Sequence, residues 1–177
     1  QVHSSPPVKP ISKEVALPSI AFGKAKWEKY FGDIGVEPPL PPNIEEILNS
    51  PCIFWPDKKV RDTHLLVLVP EKVNGRAFHL DSLSELIKSP KSGYKTKCYY
   101  YDSFVKKELG TQSIGSHWVL MTRHVIPESR HYKTYDDQKA FVQKHAQKSK
   151  IPYELPKALE AATVILMHHV ETGERLY

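Results

Sequence analysis

Two uninterrupted apolar runs constrain the fold of this chain more than any other feature. Residues 63–69 and residues 116–121 each consist of a hydroxyl residue, a histidine and then only apolar residues. Runs of this length without polar alternation are typical of strands that are covered on both faces. The chain is therefore expected to contain a sheet with two central buried strands, at about residues 60–69 and 117–122.

The segments around these strands have the features of helices. Thr134 followed by Asp137 is typical of a helix N-terminus, and residues 157–172 are apolar on most faces and end before Gly173. More than 40 residues separate the two apolar runs, so the strands could be parallel neighbours joined through a helix. The pattern predicts an α+β or α/β fold, with a small mixed sheet covered by helices that include residues 157–172.

The chain of 177 residues has the length of a single domain. Residues 1–23 are rich in proline and show no hydrophobic period, which predicts a flexible tail or linker. Residues 24–177 are expected to form one globular α/β domain. Because the chain stops just after a predicted helix end, we expect this domain to be truncated at its C-terminus.

Histidines at the start of both apolar runs give one candidate site. If the two strands were parallel neighbours, His64 and His117 would meet at one edge of the sheet and could act as general bases. Cys98 follows Lys97, and positive charge nearby favours the thiolate. These three residues predict a distributed, hydrolase-like catalytic site of His64, His117 and Cys98. No spacing ties a further group to them, so hydrogen-bonded structural histidines are the alternative.

A basic, tyrosine-rich segment gives a second candidate site. Residues 91–107 combine lysines with tyrosines, and basic residues outnumber acidic ones there. Lysines neutralise phosphates and tyrosines stack on bases, so Lys95, Lys97, Tyr99 and Tyr101 could bind a single-stranded nucleic acid or another anion. The alternative is a solvated strand whose alternate tyrosines lie in the core.

Other classes of site lack support in the sequence. We find no phosphate-binding loop, nucleophile elbow or dinucleotide fingerprint, and no zinc-ligand spacing. We therefore predict no cofactor and no metal site. Cys52 and Cys98 could form a disulfide or remain free thiols. No apolar run is long enough to span a membrane.

Three long stretches, residues 28–70, 116–138 and 152–177, resemble a region of large multi-module proteins from chlamydia-like bacteria that live in amoebae. In those proteins the region often accompanies leucine-rich-repeat or F-box segments. The resemblance implies a bacterial module that is cytoplasmic or secreted into a host cell. The family supplies no activity and no site residues that can be transferred to this chain.

These observations favour a non-catalytic interaction or structural module that binds a protein partner and belongs to a larger bacterial protein, such as a host-directed effector. An enzyme with the His/Cys site and a nucleic-acid-binding module that uses residues 91–107 are the two alternatives. The sequence does not predict the oligomeric state.

Overall fold

The computed structural model of the chain describes residues 16–97, 115–128, 134–149 and 151–176. In chain order, the strands are β1 (Ala21–Phe22), β2 (His64–Val69), β3 (Lys72–Val73), β4 (Arg76–Ala77) and β5 (His117–Thr122). The helices are α1 (Lys24–Tyr30), α2 (Ile44–Asn49), α3 (Val60–Thr63), α4 (Leu80–Leu86), α5 (Tyr135–Ala146) and α6 (Ala158–Thr172).

The main sheet has the strand order β1-β2-β5, and the predicted small mixed sheet with covering helices is confirmed. β1 is parallel to β2, whereas β5 is antiparallel to β2, with His64 opposite Thr122 and Val69 opposite His117. The two apolar runs are therefore neighbours, but the expected parallel arrangement is wrong. β2 is the central strand, whereas β5 has a strand neighbour on one side only within the described part of the chain.

Two apolar clusters cover the two faces of β2. Because side chains alternate along a strand, Val67 belongs to one cluster and Leu66 to the other. The larger cluster includes residues of α1, α4 and α6, and it surrounds Trp27, which donates its indole N–H to the carbonyl oxygen of Leu68 at 2.8 Å. The smaller cluster includes residues of α2 and α3. Burial of β2 on both faces is what its uninterrupted apolar run predicts.

The two long helices begin and end where their sequence signals predict. The Thr134 hydroxyl accepts a hydrogen bond from the backbone N–H of Asp137 at 3.1 Å and caps α5. Gly173 ends α6 with a φ of 77°, a left-handed conformation that glycine adopts without a steric penalty. Helix α6 packs mainly against β2, so it covers the sheet as expected.

The strand predicted from residue 60 begins four residues later. Residues 60–63 form α3, and the Thr63 hydroxyl lies 3.2 Å from the carbonyl oxygens of both Lys59 and Val60. Such a bond from a threonine hydroxyl to the preceding turn supports helical rather than extended backbone. The apolar pattern does not reveal this turn, because one turn has no period.

The folded part of the chain also extends into the segment assigned to the tail. Ala21 and Phe22 form β1, pair with Leu66 and Val67, and are buried. A strand of two residues is too short to show alternation, so no pattern in the sequence predicts it.

Candidate functional site

The antiparallel register separates the two histidines of the candidate catalytic site. His64 lies opposite Thr122, whereas His117 lies at the other end of β5, opposite Val69. With a rise of about 3.4 Å per residue, the two histidines are roughly 17 Å apart along the sheet. The two histidines do not form a common site, because the strands are antiparallel and the first residue of each lies at the opposite end of the strand pair.

His64 is part of a buried polar network that joins β2 to the segment 151–156, which we call the strap. Its Nδ1 lies 2.8 Å from the Thr63 hydroxyl, and its Nε2 lies 3.0 Å from the Tyr153 hydroxyl. Since the Thr63 proton can be donated to a carbonyl of the preceding turn, we assign the proton of the imidazole to Nδ1. Nε2 then accepts the hydrogen bond of Tyr153, and both ring nitrogens are used within the fold.

Both partners of this hydrogen bond are neutral at pH 7, and burial moves the pKa of each further from 7. Desolvation lowers the pKa of His64 to about 4, and a backbone hydrogen bond to Val60 opposes this only in part. Desolvation raises the pKa of Tyr153 far above its usual value, and the neighbouring Cys52 adds to the rise. His64 is 1% exposed, so it is a neutral structural group that holds the strap and is not placed to take a proton from a substrate.

His117 joins the start of β5 to the start of α6. Its Nδ1 lies 2.6 Å from the carbonyl oxygen of Gly115, and its Nε2 lies 2.7 Å from Glu160 Oε2. The other oxygen of Glu160 accepts the backbone N–H of Lys157 at 2.8 Å, within a capping box. Both ring nitrogens of His117 therefore have partners within the protein, the carbonyl oxygen of Gly115 and the carboxylate of Glu160. The geometry fits a structural bridge between a strand and a helix.

The third catalytic candidate, Cys98, lies outside the described residues. Cys52 is a buried free thiol in the smaller apolar cluster, close to Tyr153. The thiol that the described residues contain is therefore that of Cys52, which is not one of the residues predicted for the catalytic site.

The candidate anion-binding segment is described only up to residue 97. Lys95 and Lys97 are exposed, and Tyr99 and Tyr101 lie outside the described residues. Tyr94 is held by α6, since its backbone N–H donates to the carbonyl oxygen of Val170 at 2.9 Å and its ring lies against Gly173. Lys95 and Lys97 therefore stay predicted anion-binding residues, and the stacking role of Tyr99 and Tyr101 stays a prediction.

Sequence reasoning missed an apolar cavity that runs along β5. It has a volume of about 430 Å³, and five consecutive β5 residues, 118–122, contribute to its lining. Its other walls are formed by α2, mainly through Ile44 and Ile47, and by the strap. A second cavity of about 390 Å³ shares Leu155 and Pro156 of the strap with the first. Volumes and linings of this kind are typical of ligand-binding clefts.

The second cavity lies between the end of β5, α5 and α6. Its walls include Met121, Phe141 and Ile165. Val125, which is 42% exposed, also contributes to its lining. Apolar residues between the two prolines of the strap were a signal that this segment packs against the fold. Nothing local indicated which surface it packs against.

A metal-binding cluster and a membrane-spanning helix are both absent from the described residues. No group of three or more potential metal-ligating side chains occurs there. No helix in that part of the chain is long and apolar enough to cross a membrane.

Comparison of the chain with protein-family models, with curated proteins and with solved structures gave no match. The resemblance to a region of proteins from chlamydia-like bacteria therefore stays a prediction.

Proposed function

We propose that this chain is a non-catalytic interaction module and that the two cavities beside β5 are its binding surface. The observation that carries the proposal is the apolar cavity of about 430 Å³ along β5, a strand that has a strand neighbour on one side only among the described residues. Apolar clefts of several hundred Å³ are typical of binding sites in folded proteins. The bacterial, host-directed multi-module protein implied by the resemblance is a setting in which such a module would join a protein partner to its neighbours.

The state of the two histidines supports a binding function over a catalytic one. Both ring nitrogens of His64 and of His117 are directed at groups of the protein. A general base needs a nitrogen within hydrogen-bond distance of the proton that it removes. Each histidine instead stabilises one wall of the cavity, His64 through the strap and His117 through Glu160, which lines the cavity.

Selection from a phage-displayed library of random peptides on the immobilised chain tests the proposal. We expect enrichment of apolar peptides. We also expect binding of the enriched peptides to fall about tenfold or more in Leu155→Asp, because the variant places a carboxylate in the shared wall of both cavities.

Leu17→Asp is the matched control, because Leu17 is 44% exposed and lines neither cavity. This control is expected to bind the enriched peptides as the unmodified chain does. Failure to enrich any peptide, or equal binding by both aspartate variants, would contradict the proposed function.

A further inference from the structure

The register of β2 and β5 determines which backbone groups of β5 point away from the sheet. The N–H of Arg123 donates to the carbonyl oxygen of Thr63 at 2.8 Å, just beyond the last strand pair. In an antiparallel ladder the hydrogen-bonded pairs recur at every second residue. His117, Val119 and Met121 therefore direct their backbone groups at β2.

The backbone N–H and C=O groups of Trp118 and Leu120 consequently point to the outer edge of β5. Strand β2 supports this assignment of inward and outward groups. The carbonyl oxygen of Leu68, the residue opposite Trp118, points away from β5 and accepts the indole N–H of Trp27. No backbone hydrogen bond to Trp118 or Leu120 on the outer edge is found among the described residues. An edge of this kind is a template for one more strand.

The sequence of β5 lacks the usual protection of an open edge. Natural edge strands carry lysines, prolines or inward-pointing charges that prevent pairing. Residues 117–122 contain no lysine, arginine, acidic residue or proline. The edge is therefore suited to pairing with another extended segment.

The strap forms a wall of the cavity but does not pair with the outer edge of β5 as a strand. Pro152 and Pro156 have no N–H to donate, and the N–H of Tyr153 donates to the carbonyl oxygen of Ile151 at 2.9 Å. The Tyr153 hydroxyl fixes the strap to His64. The cavity lies between the edge of β5 and the strap, so a segment placed in it would have the outward backbone groups of β5 on one side and apolar side chains around it.

We infer that the partner of this module is an extended apolar peptide segment, which binds as an additional strand beside β5. This inference rests on the proposed function and specifies its partner. Alternate side chains of the segment enter the two cavities, so apolar residues are required at consecutive positions rather than at every second one. The backbone groups of Trp118 and Leu120 supply the main-chain hydrogen bonds.

A lysine-flanked synthetic peptide with a run of about four valine and isoleucine residues is the probe, and its single N-methylated analogues are the matched controls. Methylation of a residue whose N–H faces β5 is expected to weaken binding about tenfold, and methylation of its neighbours is expected to have little effect. The binding constants, measured by calorimetry, should therefore alternate along the peptide.

Two variants of the chain test the same contact from the other side. Leu120→Pro removes the outward N–H without removing a bond to β2, and Leu120→Ala shortens the side chain but keeps that N–H. We expect Leu120→Pro to weaken binding about tenfold relative to Leu120→Ala. Thermal unfolding establishes that both variants are folded. If Leu120→Pro does not fold, the methylated peptides decide alone.

The outcomes separate this inference from the proposed function. If library-selected peptides bind while N-methylation shows no alternation, or if they bind while the valine-isoleucine probe does not, strand addition is wrong and the interaction function survives. If no peptide is enriched and the probe does not bind, the proposed function fails as well.

Discussion

Strands β2 and β5 are nearly the same in sequence pattern and differ in their surroundings. Each begins with a histidine after a hydroxyl residue and continues with apolar residues. β2 has strand neighbours on both sides and five buried residues, whereas every residue of β5 is only partly buried. The difference teaches that an apolar run indicates a strand with two covered faces but does not determine whether its edge is covered. In β5 the apolar side chains that stay partly exposed line the cavities, where they can contact a partner.

The largest expected effect compares two leucines that face each other across the strands. Leu66 of β2 is 2% exposed, and its cross-strand partner Leu120 of β5 is half-buried. Leu66→Ala is expected to lower the free energy of unfolding by between about 3 and 4 kcal/mol, because the side chain that it removes is almost fully buried. Leu120→Ala is expected to lower it by about 1 kcal/mol, because the Leu120 side chain is only half-buried and less apolar surface is lost from the fold. Urea denaturation measures both values, and equal losses would contradict the comparison.

The next effect concerns the buried histidine of β2. The pKa of His64 is lowered to about 4 in the fold, from an ordinary value of 6.5. Between these values the unfolded chain binds the proton and the fold does not, so stability is lost as the pH falls from 6.5 to 4 and does not change further below 4 on account of this group. The loss is about 3 kcal/mol.

The variant His64→Gln isolates this contribution. It is expected to be less stable at pH 7, because the bond to Tyr153 is disturbed. Its decline in unfolding free energy between pH 7 and pH 4 should be about 3 kcal/mol smaller than that of the unmodified chain. Denaturation curves across this pH range test the difference. Parallel pH profiles would show that His64 is not buried as a neutral group.

The smallest effect concerns the histidine at the start of β5. His117 and Glu160 form a partly exposed pair, with 33% and 14% of their side chains exposed. Because solvent screens such a pair, His117→Gln is expected to cost about 1 kcal/mol or less at pH 7. Urea denaturation at low and high salt measures this cost. A loss as large as that of Leu66→Ala would mean that His117 is as central to the fold as the residues of β2.

Local patterns in the sequence predicted the elements of this fold better than their arrangement. The cap at Thr134 and the glycine at the end of α6 act within a few residues, so the helices could be placed from the sequence. The relative direction of β2 and β5 depends on the path of the chain between them, and apolar runs carry no information on that path. The one-turn helix α3 and the two-residue strand β1 are too short to show a period.

The candidate site was harder to predict than the fold. Tyr153 lies 89 residues from His64, and nothing in either neighbourhood indicates their contact. The strap, α2 and β5 form the cavity from three distant segments, so no local motif marks it. The paired histidines were the visible signal, and they mark two structural anchors at opposite ends of the sheet.

Hydrogen exchange of the β5 backbone amides in the free chain, measured residue by residue by NMR, tests the central claim most directly. The claim is that β5 is an open edge strand which offers alternate backbone groups to a partner. We predict slow exchange for the amides of Val119 and Met121, which face β2, and fast exchange for those of Trp118 and Leu120. Equal protection of all four amides would show that the outer edge is already covered, and would contradict the account.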